Sequence, residues 1–225
     1  MTGVRLKRLS SKLPLRAQQA LRRLQFGHQI RSGRFQTSEP EYARLGEWVA
    51  AGDWVIDVGA NVGHYTAQLS RLVGVTGRVL AFEPVPETFE LLAANMAAVG
   101  ARNVTLFNVA ASAQIGAIGM TLPKFSSGLT NYYRAGITSD DSELKILTLS
   151  LDSVMPPARV TLIKIDVEGH ELQALKGMRE LLRRDLPRLI VEDVSKEVET
   201  FLKSLGYAFT YHPGSPNRVF SVSPK

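Results

Sequence analysis

Asp166, Glu168 and His170 stand within one short stretch, KIDVEGHE (164–171), and Gly169 lets the chain turn there ahead of a helix. Two carboxylates and an imidazole so close together can position a hydroxyl-bearing substrate and take its proton. A second cluster, DVGANVGHY (57–65), places Gly59 and Gly63 around Ala60 and Asn61, with Asp57 ahead and His64 and Tyr65 behind. Glycines at that spacing let a strand turn tightly into a helix while its backbone passes close to a bound molecule. Glu83, followed by Pro84, stands 26 residues beyond Asp57, where a carboxylate can accept hydrogen bonds from both hydroxyls of a ribose.

The loop residues discriminate among nucleotide ligands. A dinucleotide site reads G-x-G-x-x-G, and its middle glycine lets the backbone touch the pyrophosphate. Asn61 occupies that middle place, where its amide would crowd a diphosphate, and Asp57 would repel the negative charge. The same carboxylate favours a cation. S-adenosylmethionine carries an ammonium and a sulfonium, so its charge pattern suits this loop better than that of NAD. Glu83 serves either ligand. An NAD-dependent oxidoreductase is further disfavoured by the lack of a Tyr-x-x-x-Lys constellation.

The elements that must position these groups alternate. WVIDV (54–58), RVLAFE (78–83) and NVTLFNV (103–109) read as strands, and HYTAQLSRLV and ETFELLAANMAAV as the helices between them. Phe89, Leu92, Met96 and Val99 share one face of the second helix. Residues 112–145 read as a long irregular stretch over the site, with Ser126, Ser127, Gly128, Tyr132 and Tyr133 as a lid. KILTLSLD (145–152) looks like an edge strand or hairpin arm. RVTLIKID (159–166), one helix over HELQALKGMRELLRR, RLIVE (188–192), a helix near Ser195–Leu205 and a terminal hairpin of YAFTY and RVFSV follow. Repeated βα units imply an α/β fold with a mostly parallel sheet covered on both faces. Asp57, Glu83, Asn108 and Asp166 then fall at strand ends and rim one crevice if the first strand is central.

These stretches resemble a known family. DVGANVGHYT, GRVLAFEPVPETFELLAANM, NVTLFNVAAS and LIKIDVEGHELQALKGM are similar, in this order, to the motifs of the FkbM family of S-adenosylmethionine-dependent methyltransferases, over roughly residues 38–192. The resemblance implies a three-layer, Rossmann-like class I methyltransferase fold with a seven-stranded, mostly parallel sheet and an antiparallel last strand. It implies that Asp57, Gly59, Asn61 and Gly63 form the cofactor loop and that Glu83 holds the ribose. Asn108 to Ala111, Ala110 included, would border the adenine. The activity implied is methylation of a hydroxyl on a small molecule, sugar or polyketide. One departure is visible: only LDSVMPP is available for the helix between the third and fourth strands.

Asp166 and Glu168 are favoured for substrate positioning or base work, with His170 the weaker base; His64 and Tyr65 could meet the methionyl end of the cofactor. No further ligand pattern accompanies the two carboxylates, so no metal is expected. The chain has 225 residues and no cysteine, which excludes disulfides, thiolate metal sites and a thiol nucleophile. Residues 1–34 hold 9 of the 27 Lys and Arg and no acid, so the remainder carries 18 basic against 21 acidic side chains. We read residues 1–37 as a basic helical arm and 38–225 as the methyltransferase domain. Leu21 and Leu24 recur at helical spacing, which suggests that the arm lies on something: its own domain, a membrane surface or nucleic acid. A nucleic-acid methyltransferase lacks its usual Asn/Asp-Pro-Pro-aromatic motif here, and a non-catalytic cofactor-binding module would keep only the fold. The expected compartment is cytoplasmic and the expected partner a small-molecule or glycan acceptor.

Overall fold

The computed structural model describes residues 13–123, 136–138, 144–211 and 214–222. The chain enters through α1 (Leu15–Arg31) and two short helices, α2 (Pro40–Ala43) and α3 (Leu45–Trp48). Then β1 (Trp54–Val58), α4 (His64–Val73), β2 (Arg78–Phe82), α5 (Pro86–Ala98) and β3 (Val104–Phe107) alternate. Four strands follow: β4 (Ala110–Ala111), β5 (Gly116–Thr121), β6 (Gly136–Thr138) and β7 (Leu144–Leu149). A 3₁₀ turn (Leu151–Val154) leads into β8 (Val160–Ile165), the helices α6 (Glu171–Lys176) and α7 (Arg179–Asp185), and β9 (Arg188–Glu192). The last elements are α8 (Lys196–Ser204), β10 (Tyr207–Tyr211) and β11 (Asn217–Val222).

Seven strands form one sheet in the order β10-β11-β9-β8-β1-β2-β3. β1 pairs in parallel with both β2 and β8, so strand order reverses beside it, and β11 runs antiparallel between β9 and β10. Side chains alternate across this sheet with a period of two. Val55 packs toward Tyr65, Leu69 and Val73 of α4, while Ile56 and Val58 face the opposite layer with Leu175, Leu182 and Leu202. Helices thus cover both faces, giving the three layers expected.

Several local readings change. The described residues within 112–145 are less irregular than their glycines suggest: a second sheet runs β4-β7-β5-β6, and Met120 and Ile146 pack with Val85 and Ala110 beneath it. β7 is the arm of an antiparallel pair with β5, as expected, but it lies inside this sheet rather than at its edge, since β4 pairs along its other side. The lid residues Ser126, Ser127, Gly128, Tyr132 and Tyr133 lie outside the described residues.

The single helix expected over HELQALKGMRELLRR is broken into α6 and α7. At Gly177 an added Cβ would sit 1.9 Å from the Ser112 carbonyl oxygen, so only glycine lets the two segments come so close. The Gly177 carbonyl turns away to accept from Ser150 Oγ and the Asp152 N–H, and the Asp152 carboxylate accepts from Glu180 N–H and Leu181 N–H at the start of α7. These are the free N–H groups that every helix start must satisfy. In α5 the buried apolar set is Leu91, Leu92 and Met96, with Phe89 and Val99 only half-buried at its margin. In α1 the inward residues are Phe26 and Ile30, packed beside Leu92 and Met96 of α5, whereas Leu21 and Leu24 face outward.

Candidate active site

The glycine loop is fastened to β2 before any ligand is considered. The N–H groups of Gly59 and Ala60 both donate to the Phe82 carbonyl at 2.9 Å. Gly59 has φ +79°, and a Cβ there would lie 1.7 Å from the Asp166 carbonyl oxygen. Its glycine therefore permits close approach of the ends of β1 and β8. Gly63, at φ +96°, packs against Leu92 and Met96 of α5. Asn61 stands at φ +51°, a left-handed conformation that Asn adopts more readily than most residues.

That conformation aims the Asn61 N–H at Glu83 Oε2, 2.9 Å away, while Glu83 Oε1 accepts from Val85 N–H at 2.9 Å. Burial raises the Glu83 carboxyl to about 7, against the pull of these two donors. Each oxygen retains a lone pair for a ligand hydroxyl. Asn108 does not line the cavity; its amide donates to the carbonyls of Glu83 and Pro84 and so braces the turn that presents Glu83. Val109, Ala110 and Ala111 do line it.

Asp57 is not at the mouth of the loop. The alternation that puts Val55 under α4 puts Asp57 there too, fully buried, with Thr66 Oγ1 donating to Oδ2 at 2.6 Å and Oδ1 without a partner. Burial raises its pKa, opposed by Lys164 and Thr66. Lys164 is its parallel-strand neighbour and shares its face; it is buried, bonds Asp166 at 2.8 Å and lies 4.9 Å from the Tyr65 ring centroid. Burial disfavours the ammonium, but the charges of Asp166, Asp57 and Glu39 outweigh it and raise the Lys164 pKa. For Asp166, burial is likewise outweighed by Lys164 and a hydrogen bond from Glu192, and its carboxyl stays below the ordinary range. Glu192 is pushed up to about 9, first by that bond to Asp166 and then by burial, so it holds its proton at neutral pH.

Two adjoining cavities, of about 250 and 430 Å³, open along this row, within or near the size of small-molecule sites. Gly59, Asn61 and Asp166 border both. The first also meets Glu83, Pro84, Ala110, Glu168 and His170; the second meets Asp57, Ala60, His64 and Tyr65. Gly63 and Asn108 line neither. Glu168 has φ +51°, which with Gly169 at +93° turns the chain sharply off β8. His170 Nε2 lies 3.0 Å from Ser112 Oγ, and burial lowers the pKa of the ring, leaving it neutral at pH 7. His64 packs on Phe35 at 4.4 Å between centroids, and Tyr65 donates its hydroxyl to Glu39 Oε2 at 2.6 Å.

Five residues were not singled out from the sequence: Glu39, Ser112, Met120, Lys164 as a buried charge, and Glu192. Glu192 ends RLIVE, so the rule that parallel strands present their carboxyl ends to ligands could have found it. Lys164 two residues before Asp166 could have been placed on the Asp57 face by period-two alternation. Glu39, Ser112 and Met120 carry no local signal.

A Rossmann-like class I methyltransferase fold is defined by this strand order, with its antiparallel β11 and its ligand crevice at the tips of β1, β2 and β8. Residues 57–209 match the methyltransferase FkbM domain, and the chain belongs to that family. It is 30% identical over 134 residues to the hexuronic acid methyltransferase AglP of Haloferax volcanii, covering 58% of this chain and 52% of that protein. It is 26% identical over 193 residues to the methyltransferase sdnD of Sordaria araneosa, covering 70% and 74%. The solved structure of a methyltransferase FkbM from Methylobacillus flagellatus KT superposes with a TM-score of 0.56 at 19% identity, over 80% of this chain and 46% of that one. The chain thus spans about half the length of the archaeal relative and of that solved structure. Among the described residues, no helix is long and apolar enough to cross a membrane.

Proposed function

We propose that this protein transfers a methyl group from S-adenosylmethionine to a hydroxyl of a sugar or other small molecule. The observation that carries the reading is Glu83. Its carboxylate is fixed at the tip of β2 by two backbone N–H groups and borders the cavity, with lone pairs left for the two hydroxyls of a ribose. The donor set suits the rest of such a ligand: Asn61 Oδ1 is buried without a hydrogen-bond partner, and the second cavity is bordered by Glu39, Asp57 and Asp166 around a single Lys164. An excess of carboxylate there favours an ammonium group and disfavours a diphosphate. Asn61, Glu83 and the apolar Val109–Ala111 wall would hold the cofactor, which supplies an electrophilic methyl group on sulfur.

What remains for the chain is to align the acceptor and accept its proton. The sequence favours Asp166 for substrate positioning or base work, but its ion pair with Lys164 and its bond from Glu192 make it a poor proton acceptor. His170 is better suited: neutral at pH 7, bordering the first cavity, and oriented through Ser112. We assign His170 as the base, Glu168 as an acceptor-positioning group and Asp166 as the anchor that holds the end of β8. The sugar-acting archaeal relative supports a glycan or sugar acceptor.

The test is calorimetric titration with S-adenosylhomocysteine and with NAD, followed by incubation with methyl-labelled cofactor and sugar or metabolite fractions. Binding of the former only, with label entering an acid-stable ether, is the expected result. Binding of NAD alone, or cofactor binding with no acceptor labelled in any fraction, would overturn it.

A further inference from the structure

α1 docks on the body by one side and leaves an organised surface on the other. Phe26 meets Phe35 and His64 edge-on, with centroids 5.9 and 6.2 Å apart, and Ile30 packs beside it. At 100° per residue, Leu21 and Leu24 point away from Phe26, and Ala17, Leu21, Leu24 and His28 recur every three or four residues along that outer side. Leu21 is 48% exposed and Leu24 68%, and Leu13, just before the helix, is 40% exposed. Arg16 and Arg31 are exposed beside this stripe. No acid precedes Glu39 in the chain, whereas residues beyond 34 carry more acidic than basic side chains.

We propose that the outer face of α1 seats on an anionic phospholipid surface, with Leu13, Leu21 and Leu24 entering the boundary between headgroups and acyl chains while the flanking arginines meet lipid phosphates. The helix has 17 residues and lies in the plane of such a surface rather than through it. Charge decides among occupants. A second copy would bring one cationic helix against another, and a nucleic acid would pair with the arginines but leave three leucines facing water. An anionic bilayer satisfies both the cations and the leucines. It also repels the slightly acidic body, so the molecule is held with α1 toward the lipid.

The experiment is co-sedimentation of the full chain with vesicles of phosphatidylcholine alone and of phosphatidylcholine with 30% phosphatidylglycerol. It compares wild type with the Leu21→Ser/Leu24→Ser double variant, and circular dichroism melting and light scattering are run on both. The expected result is partition onto the anionic vesicles only, reduced roughly tenfold or more in the double variant at unchanged melting temperature and unchanged mass. Three results would overturn the proposal: no binding to anionic vesicles, binding that ignores loss of the leucines, or a wild-type oligomer that the double variant dissolves.

Discussion

Glu83 shows how one side chain can serve structure and ligand together. Its two oxygens hold the N–H groups of Asn61 and Val85, so the loop and the ribose site are set by the same carboxylate. Glu83→Ala is expected to weaken S-adenosylhomocysteine binding by at least about tenfold in a calorimetric titration, since hydrogen bonds to a charged group contribute roughly 1.5–3 kcal/mol each. For His170, burial lowers the ring pKa, so the neutral base persists through pH 7 and is lost only as pH falls below its ordinary value. His170→Ala is expected to lower kcat by about a hundredfold, to leave cofactor affinity unchanged and to remove the acid limb from the residual pH profile. An acid limb that survives the substitution would place the base elsewhere. Asp166→Asn is a different experiment. It strips the buried Lys164 ammonium of its nearest partner and is expected to cost about 3 kcal/mol of stability in denaturant unfolding, whatever its effect on rate.

Among elements, the glycines of the β1–α4 loop separate two kinds of constraint that look alike in the sequence. A methyl group on Gly59 would meet the backbone carbonyl of Asp166, a residue just beyond β8 whose N–H is bonded to the Val58 carbonyl. On Gly63 it would meet the ends of the Leu92 and Met96 side chains, 2.7 Å away, which can rotate aside. Both positions also carry positive φ. Gly59→Ala is therefore expected to destabilise the fold by about 3 kcal/mol or more and Gly63→Ala by about 1–2, compared by thermal or denaturant unfolding. Equal costs would mean that backbone conformation alone sets both. The succession of strands and helices through β3 was legible because each apolar run is short and ends in Gly, Pro or Asn. The second sheet was not, because Gly116 and Gly119 interrupt the alternation of β5 and its partner β7 lies 23 residues further on. The break between α6 and α7 was also hidden, since the residue that forces it, Ser112, is distant in sequence.

For the whole molecule, the buried carboxyls make stability depend on pH in a definite direction. Glu83 at about 7 and Glu192 at about 9 both bind protons more tightly folded than unfolded. Their contribution is complete below the unfolded Glu value and is lost as pH rises through those two values. The depressed Asp166 acts only at lower pH and the raised Lys164 only at higher, whereas the lowered His64 and His170 oppose the trend, chiefly below about pH 7. The melting temperature of the ligand-free protein is expected to fall between about pH 7 and pH 9, and to fall less in Glu192→Gln. A flat or rising curve would show that the pair does not share a proton as placed here.

The amino-acid order alone determined the layered α/β architecture, the family resemblance and the strand-end carboxylates, because apolar periodicity and turn residues act over a few positions and survive in any environment. Only the tertiary structure decided what each carboxylate does. Asp57 is turned beneath α4 and Asp166 is tied to Lys164 and Glu192, because the pairing of β8 with β1 on one side and β9 on the other brings these charges together out of water. The same packing chose Phe26 over Leu21 and Leu24 to hold α1, since contact with α5 and Phe35, not periodicity, selects which side of a helix is covered.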